Sequence, residues 1–152
     1  MKPHRTDGID PAARSRARRR ALQALYAWQM SNSPIDKVIE QFRAEQDMEI
    51  ADLEYFEALV RGVEQHTEEL DAVLSRFIDR TMAQVDPIER AVLRIAGFEL
   101  RFRPDVPYRV VINEAIETAK RFGAEHGHTY VNGVLDRAAV EWRAQEIQDA
   151  RR

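Results

Sequence analysis

The sequence predicts an all-α fold of about seven helices, and three observations support this class. Apolar residues recur at the spacing of a helix, and no long window alternates with the two-residue period of a strand. Two Asp-Pro pairs, at 10–11 and 86–87, have the form of helix starts. A chain of 152 residues with this pattern is expected to form a helical bundle, either as one domain or as two small subdomains with a shared core.

Start and stop signals define the first two helices. Asp10 offers a side-chain acceptor and Pro11 suits the first helical position, so a helix is expected over about 11–30. Ser31-Asn32-Ser33-Pro34 ends this helix and begins the second. The apolar stripes consist of Ala17, Ala21, Ala24, Leu25 and Trp28 in the first helix and of Ile35, Val38, Ile39 and Phe42 in the second.

Five more helices are predicted from apolar stripes in the rest of the chain. The strongest start signal among them is Asp86-Pro87-Ile88-Glu89, which combines a cap, a proline and the glutamate of a capping box. The five predicted spans are about 52–66, about 68–80, 87–102, a helix that ends at Gly123, and a helix that carries Val131 to Trp142.

Composition excludes several classes of protein. The absence of cysteine excludes a disulfide framework, thiol catalysis and cysteine metal sites. No apolar run approaches the length of a membrane span, and residues 1–10 lack the apolar stretch of a secretory signal. We therefore expect a cytoplasmic protein with three parts: a flexible arm at 1–10, a helical domain at 11–145, and a charged tail at 146–152 that frays.

No catalytic motif is visible in the sequence. It contains no G-x-x-x-x-G-K-[ST] phosphate loop, no G-x-G-x-x-G turn, no H-E-x-x-H and no G-x-S-x-G. His126 and His128 flank Gly127, which is a weak metal signal, and we interpret this segment as a solvated loop. We expect no enzymatic activity, no cofactor and no metal.

Charge is distributed unevenly along the chain. The formal net charge is −3, but residues 1–20 hold seven bases and two acids, whereas the rest holds 16 bases and 24 acids. Like-charge pairs at i,i+4, such as Arg14/Arg18 and Arg16/Arg20, each destabilise a helix by about 0.2–0.5 kcal/mol. A phosphate backbone would relieve this repulsion, so the segment predicts nucleic-acid contact. The alternative is a solvated basic tail that aids solubility.

Aromatic residues beside this charge fit single-stranded RNA, which is recognised by base stacking and by hydrogen bonds to base edges. Tyr26 follows the arginine run on the first helix, and Tyr130 lies at the rim of the last one. The alternative for each tyrosine is a packing residue at the edge of the core. Gly133 costs the last helix about 1 kcal/mol in propensity, and we expect it to allow a close contact between helices.

Three segments carry a recognisable pattern: ALQALYAWQM after the arginine-rich start, VDPIERAVLRIAGFEL, and DVPYRVVINEAIETAKRFGAEHGHTYVNGVLDRAA. Together they closely resemble the NusB family of bacterial transcription antitermination factors, and the resemblance covers about residues 12–140. It implies an all-α fold of two three-helix subdomains plus an N-terminal helix, with a non-enzymatic role in RNA binding. It also implies binding to single-stranded boxA RNA of ribosomal RNA leader and spacer transcripts, together with NusE, a small-subunit ribosomal protein. The pair would join RNA polymerase and other Nus factors to suppress premature termination.

The same resemblance assigns most site residues. The residues expected at RNA are Arg14, Arg16 and Arg18 on the family's basic helix, Arg19 and Arg20, which are basic where relatives can differ, and Tyr26, Lys120, Arg121 and Tyr130. Among them, Tyr130 is the candidate base stacker, and Lys120 and Arg121 are expected to hold phosphates. Glu89 is expected to face NusE, with Asp86 mainly a helix cap.

Three alternatives stay open from the sequence. A related helical domain precedes the catalytic domain of some rRNA cytosine methyltransferases, although no methyltransferase portion and no glycine-rich cofactor loop occur here. A stand-alone helical DNA-binding regulator is the second, although no helix-turn-helix pattern stands out. The third is a structural homo-oligomer, because some NusB proteins are thought to form homodimers that hide the RNA surface.

Overall fold

The computed structural model describes residues 10–45 and 52–151, and this part of the chain forms α-helices without any strand. The helices are α1 (Pro11–Ser31), α2 (Ile35–Glu45), α3 (Leu53–Leu74), α4 (Pro87–Phe102), α5 (Tyr108–Phe122), α6 (Gly127–Trp142) and α7 (Ala144–Ala150). The predicted all-α class is confirmed. The flexible arm predicted at 1–10 lies outside the described residues except for Asp10.

The chain divides into two compact units, Met1–Arg61 and Gly62–Arg152. In the first unit, α1 begins as predicted, because an Asp10 side-chain oxygen accepts hydrogen bonds from the Ala12 and Ala13 amides at 3.0 and 3.4 Å. The helix ends at Asn32, which adopts a left-handed conformation with φ of 60°. Side chains that α1 buries completely are Ala17, Ala21, Leu22, Ala24 and Leu25.

The two helices predicted at 52–66 and 68–80 form a single bent element. α3 runs through both, but His66 has non-helical backbone angles, with φ of −117° and ψ of 19°. The predicted break therefore exists as a kink rather than as a loop. Beyond Leu74, the short 3-10 turn Ser75–Phe77 replaces the end of the predicted fourth helix, and a second 3-10 turn, Met82–Gln84, precedes α4.

In the second unit, α4, α5 and α6 pack against one another. α4 begins at the predicted signal, where Asp86 accepts hydrogen bonds from the amides of Ile88 at 2.9 Å and Glu89 at 3.4 Å. The helix is buried along most of its length; its buried apolar residues are Ala91, Val92, Leu93, Ile95, Ala96, Phe98 and Leu100.

A buried arginine fixes the end of the chain to this bundle. The Arg143 side chain donates hydrogen bonds to three backbone carbonyls at the C-terminal end of α4, those of Glu99, Leu100 and Arg103. It also pairs with Glu146, whose carboxylate accepts a hydrogen bond from the Tyr108 amide at the start of α5, at 2.9 Å. Much of the predicted frayed tail at 146–152 therefore lies within α7, where Ile147 is buried.

Candidate nucleic-acid interface

The five arginines of α1 fall into two groups with different surroundings. Arg14 and Arg18 flank the buried face of the helix, where only 13% of the Arg14 side chain and 5% of Arg18 are exposed. Arg16, Arg19 and Arg20 are half-buried and lie on the side of α1 away from its core. The arginine run is therefore not a uniform charged surface.

Tyr55, near the start of α3, holds the first group in place. Its ring centroid lies 4.0 Å from the guanidinium carbon of Arg14 and 5.5 Å from that of Arg18. Arg14 also lies 3.8 Å from an Asp52 carboxylate oxygen, and the Asp52 amide donates to the Ala13 carbonyl at 3.1 Å. Cation–π attraction and the aspartate offset the repulsion between two arginines that are four residues apart.

These contacts bear on the sequence-based assignment. Arg14 and Arg18 were both expected to bind RNA, and the guanidinium group of each is packed on the buried Tyr55 ring. Their placement indicates that they attach α1 to α3 within the first unit. Arg16, Arg19 and Arg20, on the opposite side of α1, stay predicted phosphate contacts.

Tyr26 continues this outward side of α1. It is 38% exposed, and Arg20 donates a hydrogen bond to the intervening Gln23 side chain at 3.3 Å. A tyrosine ring that is exposed next to guanidinium groups can stack on a base while the arginines bind phosphates. By helical spacing, Tyr26 lies on the same side of α1 as three of the five predicted arginines.

Tyr130 lies in the second unit, at the start of α6. The guanidinium carbon of Arg80 lies 4.7 Å from the centroid of its ring and covers one face. Arg80 is held by a hydrogen bond of 2.7 Å to Asp79. Burial raises the pKa of the Tyr130 hydroxyl above its usual 10.0, so the group stays protonated at neutral pH. Tyr130 stays the predicted base stacker.

A groove of about 520 Å³ lies beside Tyr130, and its walls include Phe77 and two arginines, Arg76 and Arg137. Arg137 donates a hydrogen bond to the Phe77 carbonyl at 2.7 Å, which fixes the position of its guanidinium group. Gly133 also lines the groove, and a methyl group added there would meet no atom within 4 Å. The prediction that Gly133 allows a close helix contact is therefore wrong, because this residue faces open space.

Lys120 and Arg121 are exposed in the last turn of α5 and do not line this groove. Lys120 lies 3.8 Å from Glu117 on the same helix. Both side chains are accessible to a phosphate, but no contact joins either of them to Tyr130. They stay predicted phosphate contacts.

Glu89 does not have the exposed position expected of a residue that faces a protein partner. Only 7% of it is exposed, and a methyl group on Gly127 would lie 2.1 Å from its carboxylate. Burial, followed by the charge of Asp86, raises the pKa of Glu89, whereas Arg80 and the Ala124 amide lower it. Glu89 thus packs against the loop between α5 and α6. Asp86 is the exposed acid at the start of α4.

The α5–α6 loop has the character expected of a solvated segment. The His126 side chain is 83% exposed, and this residue begins α6 in a left-handed conformation with φ of 71°. Within residues 10–45 and 52–151, no group of three histidine, aspartate or glutamate side chains is arranged to hold a metal ion. In the same ranges, no helix has the length and apolarity needed to cross a bilayer.

Comparison with known proteins decides the family. The model of the NusB family matches residues 15–140. The chain belongs to the NusB family. A transcription antitermination protein NusB from Stenotrophomonas maltophilia (strain K279a) is 66% identical over 145 residues, which cover 95% of this chain and 91% of the relative. The family is one of non-enzymatic transcription antitermination factors, as the sequence resemblance implied.

Solved structures show the same fold. T. maritima NusB matches with a TM-score of 0.77 and 31% identity, over 88% of this chain and 96% of that one. A chain from a crystal structure of antitermination factors NusB and NusE in complex with dsRNA matches with a TM-score of 0.72 and 24% identity, over 86% and 98%. The second match supports the fold alone.

Proposed function

We propose that this protein is an antitermination factor that binds single-stranded boxA-type RNA of ribosomal RNA leader and spacer transcripts together with NusE. The complex would join RNA polymerase and other Nus factors and suppress premature termination. This role places the protein in the cytoplasm, where bacterial transcripts are made. The boundaries of the RNA-binding domain are proposed as 11–145.

The observation that carries the proposal is the outward side of α1, where Arg16, Arg19 and Arg20 share a surface with exposed Tyr26. Guanidinium groups neutralise phosphates, and an exposed aromatic ring stacks on an unpaired base. This combination suits a single strand better than a duplex, because duplex bases are not free to stack on protein.

A second RNA contact is proposed at Tyr130. The groove beside it holds two arginines and an open space at Gly133, so one unpaired base could enter beside the ring while its phosphate meets a guanidinium group. Lys120 and Arg121 would hold further phosphates from the exposed end of α5.

NusE is proposed to dock near the start of α4. A solved structure of NusB and NusE contains a chain with this fold, and the family resemblance implies the same partner here. With Glu89 buried, Asp86 is the acid that can face a basic partner there. Asp86→Asn keeps a good helix cap and removes the charge, so it should weaken NusE binding in a calorimetric titration without lowering the free energy of unfolding. Unchanged NusE affinity would reject this placement.

The function is tested by RNA binding with and without NusE at matched salt. Four probes of equal length are compared by fluorescence anisotropy: boxA-type single-stranded RNA, scrambled RNA, the boxA sequence as duplex RNA, and duplex DNA. We expect the tightest binding to the single-stranded boxA probe, strengthened by NusE. The duplex RNA probe is needed because the solved complex contains double-stranded RNA.

Two outcomes would contradict the proposal. If no RNA probe binds at low salt, with or without NusE, the protein does not act through this RNA. If duplex DNA binds more tightly than every RNA probe, the alternative of a helical DNA-binding regulator is favoured. Light scattering of the free and RNA-bound protein tests whether a homodimer exists and whether RNA dissociates it.

A further inference from the structure

The outward side of α1 extends beyond Tyr26 to a second exposed apolar residue. Met30 is 57% exposed and lies four residues after Tyr26, so the two side chains are neighbours on the helix surface. Besides Ala12 and Ala27, the residues that share this side, within an arc of about 120° at 100° per residue, are Arg16, Arg19, Arg20, Gln23, Tyr26 and Met30. We call this set the outer stripe.

Exposed apolar side chains of this size are uncommon in the structure. Within the described residues, four large apolar side chains are exposed: Tyr26, Met30, Val110 and Val140. Two of these four lie on the outer stripe, directly beyond its arginines. Tyr26 and Met30 are adjacent rather than scattered, and contiguous exposed apolar surface is typical of an interaction site.

The outer stripe has a charged end and an apolar end. The arginines occupy residues 16–20, and Tyr26 and Met30 lie further along the same helix. From Arg16 to Met30 the stripe is about 21 Å long at 1.5 Å per residue. Phosphates are complementary to the first end, and the faces of unpaired bases are complementary to the second, because a thioether makes favourable contacts with aromatic rings.

We propose that Met30 contacts a base of single-stranded RNA, so that α1 binds phosphates with its arginine end and bases with Tyr26 and Met30. This inference rests on the proposed function and adds a base-contacting residue to it. The charge of the neighbouring arginines favours a nucleic acid over a protein with an apolar surface. Met30 then contributes to affinity without contributing to the salt dependence, which reports phosphate contacts.

The test compares Met30→Ala with Val140→Ala, because both side chains are 57% exposed and Val140 lies on α6 in the other unit. Each variant is titrated across a salt series with two single-stranded probes of equal length, one with bases and one with a stabilised abasic backbone. For the probe with bases, Met30→Ala should raise Kd by about threefold to tenfold with an unchanged salt slope. For the abasic probe, it should have no effect. Val140→Ala should change neither the Kd nor the salt slope with either probe.

The results that contradict the role of Met30 differ from those that contradict the proposed function. If the wild-type protein binds RNA but Met30→Ala binds both probes as the wild type does, Met30 is not a base contact. An equal loss for both probes, or a lower salt slope, would likewise overturn the inference. If the wild-type protein binds no RNA at low salt, the proposed function itself fails. Thermal unfolding of Met30→Ala should match that of the wild type, because the side chain is exposed.

Discussion

Arg18 and Arg16 lie two residues apart on α1, and we expect their replacement by alanine to have opposite effects. Arg18 is 5% exposed and is packed on Tyr55, whereas Arg16 is half-buried on the outer stripe. Arg18→Ala should therefore destabilise the fold and leave the salt dependence of RNA binding unchanged. Arg16→Ala should leave the stability of the fold unchanged and lower the salt dependence of RNA binding.

The size of the Arg18 effect follows from its contacts. Truncation removes two buried methylene groups beyond Cβ, worth about 1.6 kcal/mol at about 0.8 kcal/mol each. It also removes the cation–π contact with Tyr55, worth about 0.5–1 kcal/mol, and relieves repulsion with Arg14 worth about 0.2–0.5 kcal/mol. We expect a loss of about 2 kcal/mol in the free energy of unfolding. Arg16→Ala should change it by less than about 0.5 kcal/mol.

Two assays check this pair of variants. Urea unfolding gives the change in stability, and anisotropy titrations over a salt series give the slope of log K against log salt. The slope should fall by about 0.7 for Arg16→Ala, the value for one phosphate contact to a single strand, and stay constant for Arg18→Ala. A normal stability for Arg18→Ala combined with a reduced slope would show that Arg18 binds phosphate, and would refute our interpretation of the Tyr55 contacts.

Three further predictions concern the second unit. Gly133→Leu should stabilise the fold by up to about 1 kcal/mol through helix propensity. It should also weaken RNA binding, because the leucine side chain fills the groove. An unchanged RNA affinity by anisotropy would exclude a base from the groove. Burial raises the pKa of Glu89 above 4.5, so the folded state keeps this proton to a higher pH than the unfolded state does. The free energy of unfolding should therefore fall as the pH rises above 4.5. Glu89→Gln should remove this dependence and stabilise the protein at about pH 7 in urea unfolding; an unchanged pH profile would contradict it. Arg143→Ala should cost about 1–3 kcal/mol, because it leaves the Leu100 carbonyl at the end of α4 without the donor that Arg143 provides and removes the pair with Glu146. A midpoint within error of the wild type in the same assay would show that Arg143 does not fix the chain end to the bundle.

Features of the fold that depend on neighbouring residues were predictable from the sequence. Asp10 and Asp86 cap α1 and α4 as expected, because a cap is formed by a side chain and amides two or three residues away. The apolar stripes identified the buried side of α1 for the same reason. The kink at His66 was also found, although as a break between two helices rather than as a bend within one.

Features that depend on distant residues were not predictable in this way. Nothing in the arginine run shows that Arg14 and Arg18 meet Tyr55, which comes from another helix. The burial of Glu89 depends on a loop that follows α5, whereas the family resemblance placed this residue at NusE. A helical wheel could have separated the arginines into two groups, since the outer stripe follows from angular spacing.

Arg143 was missed for a related reason. In a charged C-terminal segment it has no sequence signal that distinguishes it from exposed arginines. Its role arises from the carbonyls at the end of α4 and from Glu146, which links it to the start of α5. The groove likewise depends on the open space around Gly133, which the sequence of α6 does not reveal.

The salt dependence of single-stranded RNA binding by the Arg16→Ala/Arg19→Ala/Arg20→Ala variant tests the central claim most directly. With three phosphate contacts removed, the slope of log K against log salt should fall by about 2 relative to the wild type, while urea unfolding stays close to normal. A variant that binds RNA with the affinity and the slope of the wild type would show that α1 does not hold the transcript.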